Sequence, residues 1–115
     1  MASQILETDG PVIFVAVYRP HEGKEKGFLE ILKNHEPALR RLGLITERPT
    51  VLMQAQDGAY IEIAEWVQTD ASRLAHEHPE IAGIWEAMGK IADFPGLAGL
   101  EEIKQPFSNF RPVTL

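Results

Sequence analysis

The stretch Val12-Ile13-Phe14-Val15-Ala16-Val17-Tyr18 follows the turn-forming Asp9-Gly10-Pro11 and consists of β-branched, aromatic and small apolar residues. This composition predicts a β-strand. Because its residues are apolar at consecutive rather than alternate positions, both faces of the strand should be buried. The stretch therefore predicts a sheet that is covered on both sides.

A helix is predicted after the first strand. Apolar residues recur there at helical spacing, and Gly43 is placed to end the pattern. Pro37 interrupts it and should free the carbonyl of Lys33, close to His35 on the apolar stripe. The stripe consists of Phe28, Ile31, Leu32, His35, Leu39 and Leu42.

Two further strands are predicted around the turn Asp57-Gly58. Residues 44–47 and 50–55 form one β-rich run, interrupted at Pro49, and residues 59–67 form its hairpin partner. Glu62 and Glu65 point to opposite faces of that partner strand, because side chains alternate along a strand.

The stretch Ala75-His76-Glu77-His78-Pro79 divides the second helical region. Thr69-Asp70 should cap a short helix over 71–77, and Pro79 should begin a new helix with His78 near its cap. Residues 97–104 are expected to form the last strand. Residues 105–115 are expected to form a C-terminal tail with scattered apolar residues. The stripe of the new helix is Ile81, Ile84, Trp85, Met88 and Ile91.

The element order β-α-β-β-α-β predicts an α+β fold of the ferredoxin-like, split βαβ type. This fold has a four-stranded antiparallel sheet with both helices on one face. The other face is left bare, although the first strand is apolar on both sides. A second copy packed sheet to sheet would cover it, so we expect a homodimer, the dimeric α/β barrel.

Composition indicates a single domain over 1–115, with its core at 11–104. The 115 residues are 44% hydrophobic and 24% charged, which is typical of a globular protein. The net charge of −6 without a basic run argues against nucleic-acid and membrane partners. The chain has no cysteine, and residues 1–9 resemble a loose end rather than a signal peptide. We expect a cytoplasmic protein.

Three histidines are candidates for a pocket between sheet and helices. His35 and His78 fall on apolar helix stripes, where they could bind a polar group or move a proton. The alternative for both is a structural hydrogen bond to a backbone carbonyl such as that of Lys33. His76 projects away from His78 on a continuous helix, but the break at Pro79 could turn it inward.

Aromatic residues could form the wall of the same pocket or a plain apolar core. The candidate lining residues for a small apolar or aromatic molecule are His35, Tyr18, Phe14, Trp66, Trp85 and Met88. Either Glu62 or Glu65 could act as a base if it faced the helices, while the other could pair with a cation such as Arg19. The catalytic candidates are His76, His78 and Glu65.

The sequence resembles the antibiotic-biosynthesis-monooxygenase-like (ABM) proteins of the dimeric α/β-barrel superfamily, and within them an uncharacterised bacterial branch. The resemblance spans about residues 11–104. It implies a cofactor-free monooxygenase in which a histidine or carboxylate deprotonates the substrate before reaction with dioxygen. The residues that carry it are Glu65-Trp66, Thr69-Asp70, Ala75-His76, Pro37-Ala38-Leu39-Arg40-Arg41-Leu42-Gly43-Leu44, Arg48-Pro49, Pro79 and Trp85.

Two other function classes stay open. One is a non-catalytic module, ligand-binding or stress-related, which would bind without turnover. The other is a haem-binding or haem-degrading protein, with one histidine as axial ligand. The resemblance implies that no cofactor is bound. We expect no metal, because His76-Glu77-His78 lacks the i, i+4 spacing of a zinc-protease helix and has no evident third ligand nearby.

Overall fold

The computed structural model of the protein describes residues 10–115. The loose end expected at residues 1–9 lies outside this range. Three helices and five strands follow one another along the described chain. In order they are β1 (Val12–Pro20), α1 (Glu25–Arg41), β2 (Val51–Gln54), β3 (Tyr60–Trp66), α2 (Asp70–Glu77), α3 (Pro79–Gly89), β4 (Ala92–Asp93) and β5 (Arg111–Pro112).

The strands form one antiparallel sheet in the order β4-β1-β3-β2-β5. The first four positions are those of the ferredoxin-like split βαβ arrangement, so the predicted fold class is confirmed. In the centre of the sheet, Ala16 lies opposite Glu62, and Glu62 lies opposite Leu52. The sheet has five strands rather than four because β5 from the tail adds to the free edge of β2.

Helix α1 packs on the sheet through its predicted stripe. Phe28, Leu32, His35 and Leu39 are buried along it, while Pro37 lies inside the helix. Gly43 ends the helix with φ +73°, a left-handed conformation that favours glycine.

The predicted break between α2 and α3 is confirmed. His78 is the N-cap of α3 with extended backbone (ψ 123°), and Pro79 is the first helical residue. An extended residue before proline follows from the clash that proline makes with a helical neighbour. The break separates the roles of the two histidines: His78 caps α3 through its Nδ1, while His76 belongs to the last turn of α2.

The prediction of a strand at residues 97–104 is wrong. The strand beside β1 is Ala92–Asp93, and residues 97–104 form two short 3-10 helices, Leu97–Gly99 and Glu101–Lys104. Pro95 and Gly96 intervene, and Gly96 has φ +75°, so the chain turns away from the sheet.

The two faces of the sheet are covered unequally. The helices cover one face, which carries Phe14, Ala16, Tyr18, Glu62 and Trp66. On the other face, called the open face below, Leu100 and Phe110 cover one end around Val17 and Ile61. The remainder is exposed and apolar. It includes Ile13, Val15, Val51 and Val67, each between 37% and 50% exposed.

No helix within residues 10–115 is both long enough and apolar enough to cross a membrane.

Candidate functional site

An aromatic cavity of about 220 Å³ lies between β1, the end of β3 and the helices. Trp66 stacks on Phe14 with ring centroids 4.4 Å apart, and Phe94 lies edge-on to Tyr18 at 5.3 Å. These rings offer flat apolar surfaces of the kind that bind aromatic molecules. The full lining is Phe14, Ala16, Tyr18, His35, Trp66, His76, Trp85 and Phe94.

A buried carboxylate connects two polar side chains of this lining. The Tyr18 hydroxyl donates to Glu62 Oε1 at 2.7 Å, and His35 Nδ1 lies 3.1 Å from Oε1 and 3.2 Å from Oε2. Tyr18, His35 and Glu62 are at most 4% exposed. Hydrogen bonds are strong at buried sites of low dielectric constant, and a buried polar group without a partner lowers the stability of the fold.

Trp85 determines the tautomer of His35. Its indole Nε1–H lies 2.8 Å from His35 Nε2. Because an indole nitrogen only donates, His35 Nε2 accepts and His35 Nδ1–H donates to Glu62. Tyr18, Glu62, His35 and Trp85 therefore form one hydrogen-bonded chain, called the Glu62 network below.

The network also controls the acidity of Tyr18. Burial, and secondly the negative charge of Glu62, raise the pKa of the Tyr18 phenol well above its ordinary value. Tyr18 therefore stays protonated and keeps donating to Glu62 across the neutral range.

His76 lies at the mouth of the aromatic cavity. Its ring is edge-on to Trp85, with centroids 4.6 Å apart. A groove of about 690 Å³ beside α2 begins there and shares Phe14, Trp66 and His76 with the cavity. The groove and the cavity together make a continuous concave surface with an exposed imidazole where they meet.

The structure brings six of the predicted site residues to the cavity: His76, His35, Tyr18, Phe14, Trp66 and Trp85. His78 is elsewhere, because its Nδ1 accepts a hydrogen bond from Glu80 N at the start of α3. Met88 is fully buried in the core between α1 and the sheet.

Glu65, a catalytic candidate, points away from the cavity. Its carboxylate accepts from Thr46 Oγ1 at 2.8 Å and pairs with Arg48 at 3.1 Å. These contacts, Thr46 first, lower its pKa below the ordinary value. The carboxylate that faces the helices is Glu62, so the expectation that Glu65 lies in the pocket is wrong.

Three features of the site were not predicted from the sequence. Glu62 was only an alternative to Glu65, and the expected partner of His35 was a carbonyl rather than this carboxylate. Phe94 was not identified as a lining residue; its only signal was an aromatic residue next to the turn-forming Pro95-Gly96.

No group of three histidine or acidic side chains within residues 10–115 is arranged to hold a metal ion.

The sequence matches no protein-family model and no curated protein. Solved structures with the same fold include two of SnoaB, described as a cofactor-independent oxygenase from Streptomyces nogalater. A mutant form superimposes with a TM-score of 0.63, and another SnoaB structure with 0.57. In each case the identity is 21%, over 74% of this chain and 86% of the other. This chain and SnoaB share a fold.

Proposed function

We propose that this protein is a cofactor-independent oxygenase that acts on a small aromatic or otherwise apolar metabolite. The observation that carries the proposal is the buried Glu62 network, which reaches a cavity walled by aromatic rings through Tyr18. The Glu62 carboxylate accepts from Tyr18 at 2.7 Å and from His35 at 3.1 Å, so a proton taken up at the Tyr18 oxygen beside an apolar molecule can be passed on to it. The fold shared with SnoaB adds support by analogy.

The proposed reaction begins with removal of a proton from a hydroxyl-bearing or otherwise acidic aromatic substrate. The electron-rich anion supplies all four electrons that reduce dioxygen. A ring C–H is replaced by C=O, so the phenol becomes a quinone, and the other oxygen atom leaves as water with the two hydrogens that the substrate has lost. The aromatic walls hold the ring of the substrate in a fixed orientation. Glu62, acting through Tyr18, and His76 at the mouth are the groups that could accept the proton.

The functional unit that we propose is a homodimer joined through the open face. The open face carries exposed apolar side chains, which a monomer rarely leaves in contact with solvent as a continuous patch. They are Ile13, Val15, Val51 and Val67. A second copy would cover the same residues on both partners, as a two-fold interface requires.

Oxygen uptake tests the proposed function directly. A panel of polycyclic phenols is offered to the unaltered protein and to Glu62→Gln, which keeps the size of the side chain but removes its charge. We expect uptake with at least one phenol and its loss in Glu62→Gln. Glu65→Gln is the matched control on the open face and should keep its activity. Equal loss in both variants, or uptake with none of the phenols, would contradict the proposal.

One observation favours a second candidate, a ligand-binding module without turnover. The lone pair of His35 Nε2 is occupied by the Trp85 N–H, so the Glu62 network is satisfied without any ligand. Such a module would bind polycyclic phenols to the same cavity and leave dioxygen unconsumed.

A further inference from the structure

A second cavity of about 340 Å³ lies between α1, β2 and the C-terminal residues. Glu62 lines this cavity, together with Leu52, Thr50 and Val113. The lining of the aromatic cavity contains Tyr18 and His35 but not Glu62. The Glu62 network thus joins two separate cavities, with the carboxylate on the side of the second one.

The second cavity is suited to water. Its volume has room for about ten water molecules at roughly 30 Å³ each. Thr50 Oγ1 is buried there, near the Glu36 carboxylate but without a hydrogen bond of good geometry. A buried hydroxyl of this kind needs a partner, and water is the usual one. Lys33 is exposed at the rim, where this cavity meets solvent.

The lining of the aromatic cavity offers few side chains that can accept a proton. Five of its residues carry no proton acceptor apart from backbone: Phe14, Ala16, Trp66, Trp85 and Phe94. His35 Nε2 already accepts the Trp85 N–H. The side chains that remain are Tyr18, which leads to Glu62, and His76, which lies at the open mouth beside the groove.

We propose that Tyr18 and Glu62 form a proton exit from the aromatic cavity to water in the second cavity. The inference rests on the proposed function, because it takes the aromatic cavity to be the substrate site. The ligand class is an aromatic alcohol whose hydroxyl reaches the Tyr18 oxygen.

The exit works in two steps. The ligand O–H bond breaks and its proton binds the Tyr18 oxygen, while the Tyr18 proton passes over the 2.7 Å bond to Glu62 Oε1. The Glu62 carboxylic acid then gives that proton to a water molecule in the second cavity. Tyr18 and Glu62 return to their starting states, the ligand stays as an anion, and the proton reaches solvent.

His35 and Trp85 are positioning residues in this scheme. The Trp85 N–H holds His35 in the tautomer whose Nδ1–H faces Glu62. The His35 Nδ1–H holds the Glu62 carboxylate within hydrogen-bond distance of the Tyr18 hydroxyl. It also stabilises the charged form of Glu62 between proton transfers.

The first step is tested with 2-naphthol, an aromatic alcohol that becomes a strong acid when excited by light. Bound 2-naphthol emits as naphtholate only where a nearby group takes its proton within the excited lifetime. We expect naphtholate emission from the unaltered protein and its loss in both Tyr18→Phe and Glu62→Gln, with binding retained. Tyr60→Phe and Glu65→Gln are the matched controls and should keep the emission.

Two results would overturn the first step. Naphtholate emission that persists in both Tyr18→Phe and Glu62→Gln would show that the proton leaves elsewhere. Loss of emission in His76→Gln alone would assign the route to the mouth of the cavity.

The second step is tested without any ligand, by NMR exchange of the His35 Nδ1–H with water. Val113→Phe adds a ring in the second cavity beside Glu62, and we expect it to slow the exchange several-fold. Leu115→Phe makes a similar addition at the exposed rim and should leave the rate unchanged. Equal rates in Val113→Phe and the unaltered protein would overturn the exit. If 2-naphthol fails to bind while Val113→Phe slows exchange, the proposed function and the first step fall, and only the connection of the Glu62 network to water in the second cavity stands.

Discussion

Trp85 donates its indole N–H to His35 Nε2 across 2.8 Å, although the two residues are 50 positions apart in the sequence. This bond connects α3 to α1 beside the aromatic cavity. It also fixes which nitrogen of His35 carries the proton, and thereby the donor that Glu62 receives.

Replacing Trp85 with Phe should release His35. The aromatic bulk is largely kept, but His35 Nε2 loses its donor, so we expect the free energy of unfolding to fall by about 1–3 kcal/mol. Urea denaturation measures that loss, and the ¹⁵N shifts of the His35 ring report the change from one tautomer to a mixture. Trp66→Phe is the control, since it leaves the Trp85–His35 bond in place. Unchanged His35 shifts in Trp85→Phe would contradict the assigned tautomer.

The two tyrosines of the chain, Tyr18 and Tyr60, should resist ionisation in the folded state. Burial, and secondly a hydrogen bond to Glu25, raise the pKa of Tyr60 to about 12. Burial and Glu62 raise the pKa of Tyr18 still more strongly. Absorbance should therefore show little phenolate at about pH 11 in the folded protein, whereas unfolded tyrosines titrate near 10.

The raised pKa values of Tyr18 and Tyr60 also determine how the free energy of unfolding changes at alkaline pH. A phenol whose pKa is raised by folding stabilises the protein fully below its unfolded value near 10, and the contribution is lost as the pH rises toward the folded value. The free energy of unfolding should decline above about pH 10. Tyr18→Phe should make that decline shallower. A decline equally steep in Tyr18→Phe would mean that Tyr18 is not the group responsible.

His76 and His78 should respond differently to alanine. His76 lies at the mouth of the cavity against Trp85, so His76→Ala should weaken 2-naphthol binding with little effect on folding. His78 caps α3 through Nδ1, so His78→Ala should cost about 1 kcal/mol of stability and leave binding unchanged. Calorimetric titration and thermal unfolding measure the two effects. The reverse pattern would contradict the placement of both histidines.

A charge on the open face should separate the proposed dimer. Val15 is 39% exposed in the middle of β1, and a lysine there would be buried without a partner in a sheet-to-sheet interface. We expect Val15→Lys to be monomeric in sedimentation analysis where the unaltered protein is dimeric. Leu74→Lys, at a similarly exposed position on α2, should stay dimeric. A monomeric unaltered protein would refute this assembly.

Features that depend on local chemistry could be predicted from the sequence. The apolar run at Val12 to Tyr18 gives β1, Asp57-Gly58 gives the β2–β3 hairpin, and Pro79 divides the helix with His78 as its cap. In each case steric or burial preferences of neighbouring residues determine the backbone. These were enough to predict the ferredoxin-like order.

Features that depend on distant contacts could not be predicted. Alternation places Glu62 and Glu65 on opposite faces of β3, but which face the helices cover is decided by tertiary packing. The pairing of Ala92–Asp93 with the end of β1 is likewise long-range, and a two-residue strand leaves no periodic pattern. For the same reason the His35 partner was predicted as a nearby carbonyl rather than Glu62.

The most direct test of the account is the position of a bound aromatic alcohol. NMR of the labelled protein during titration with 2-naphthol follows the Trp85 indole N–H, the His76 ring and the amides of the open face together. We predict saturable shifts at Trp85 and His76, with Val15 and Val51 unchanged. Shifts confined to Val15 and Val51 would place the ligand on the open face and contradict the assignment of the aromatic cavity as the functional site.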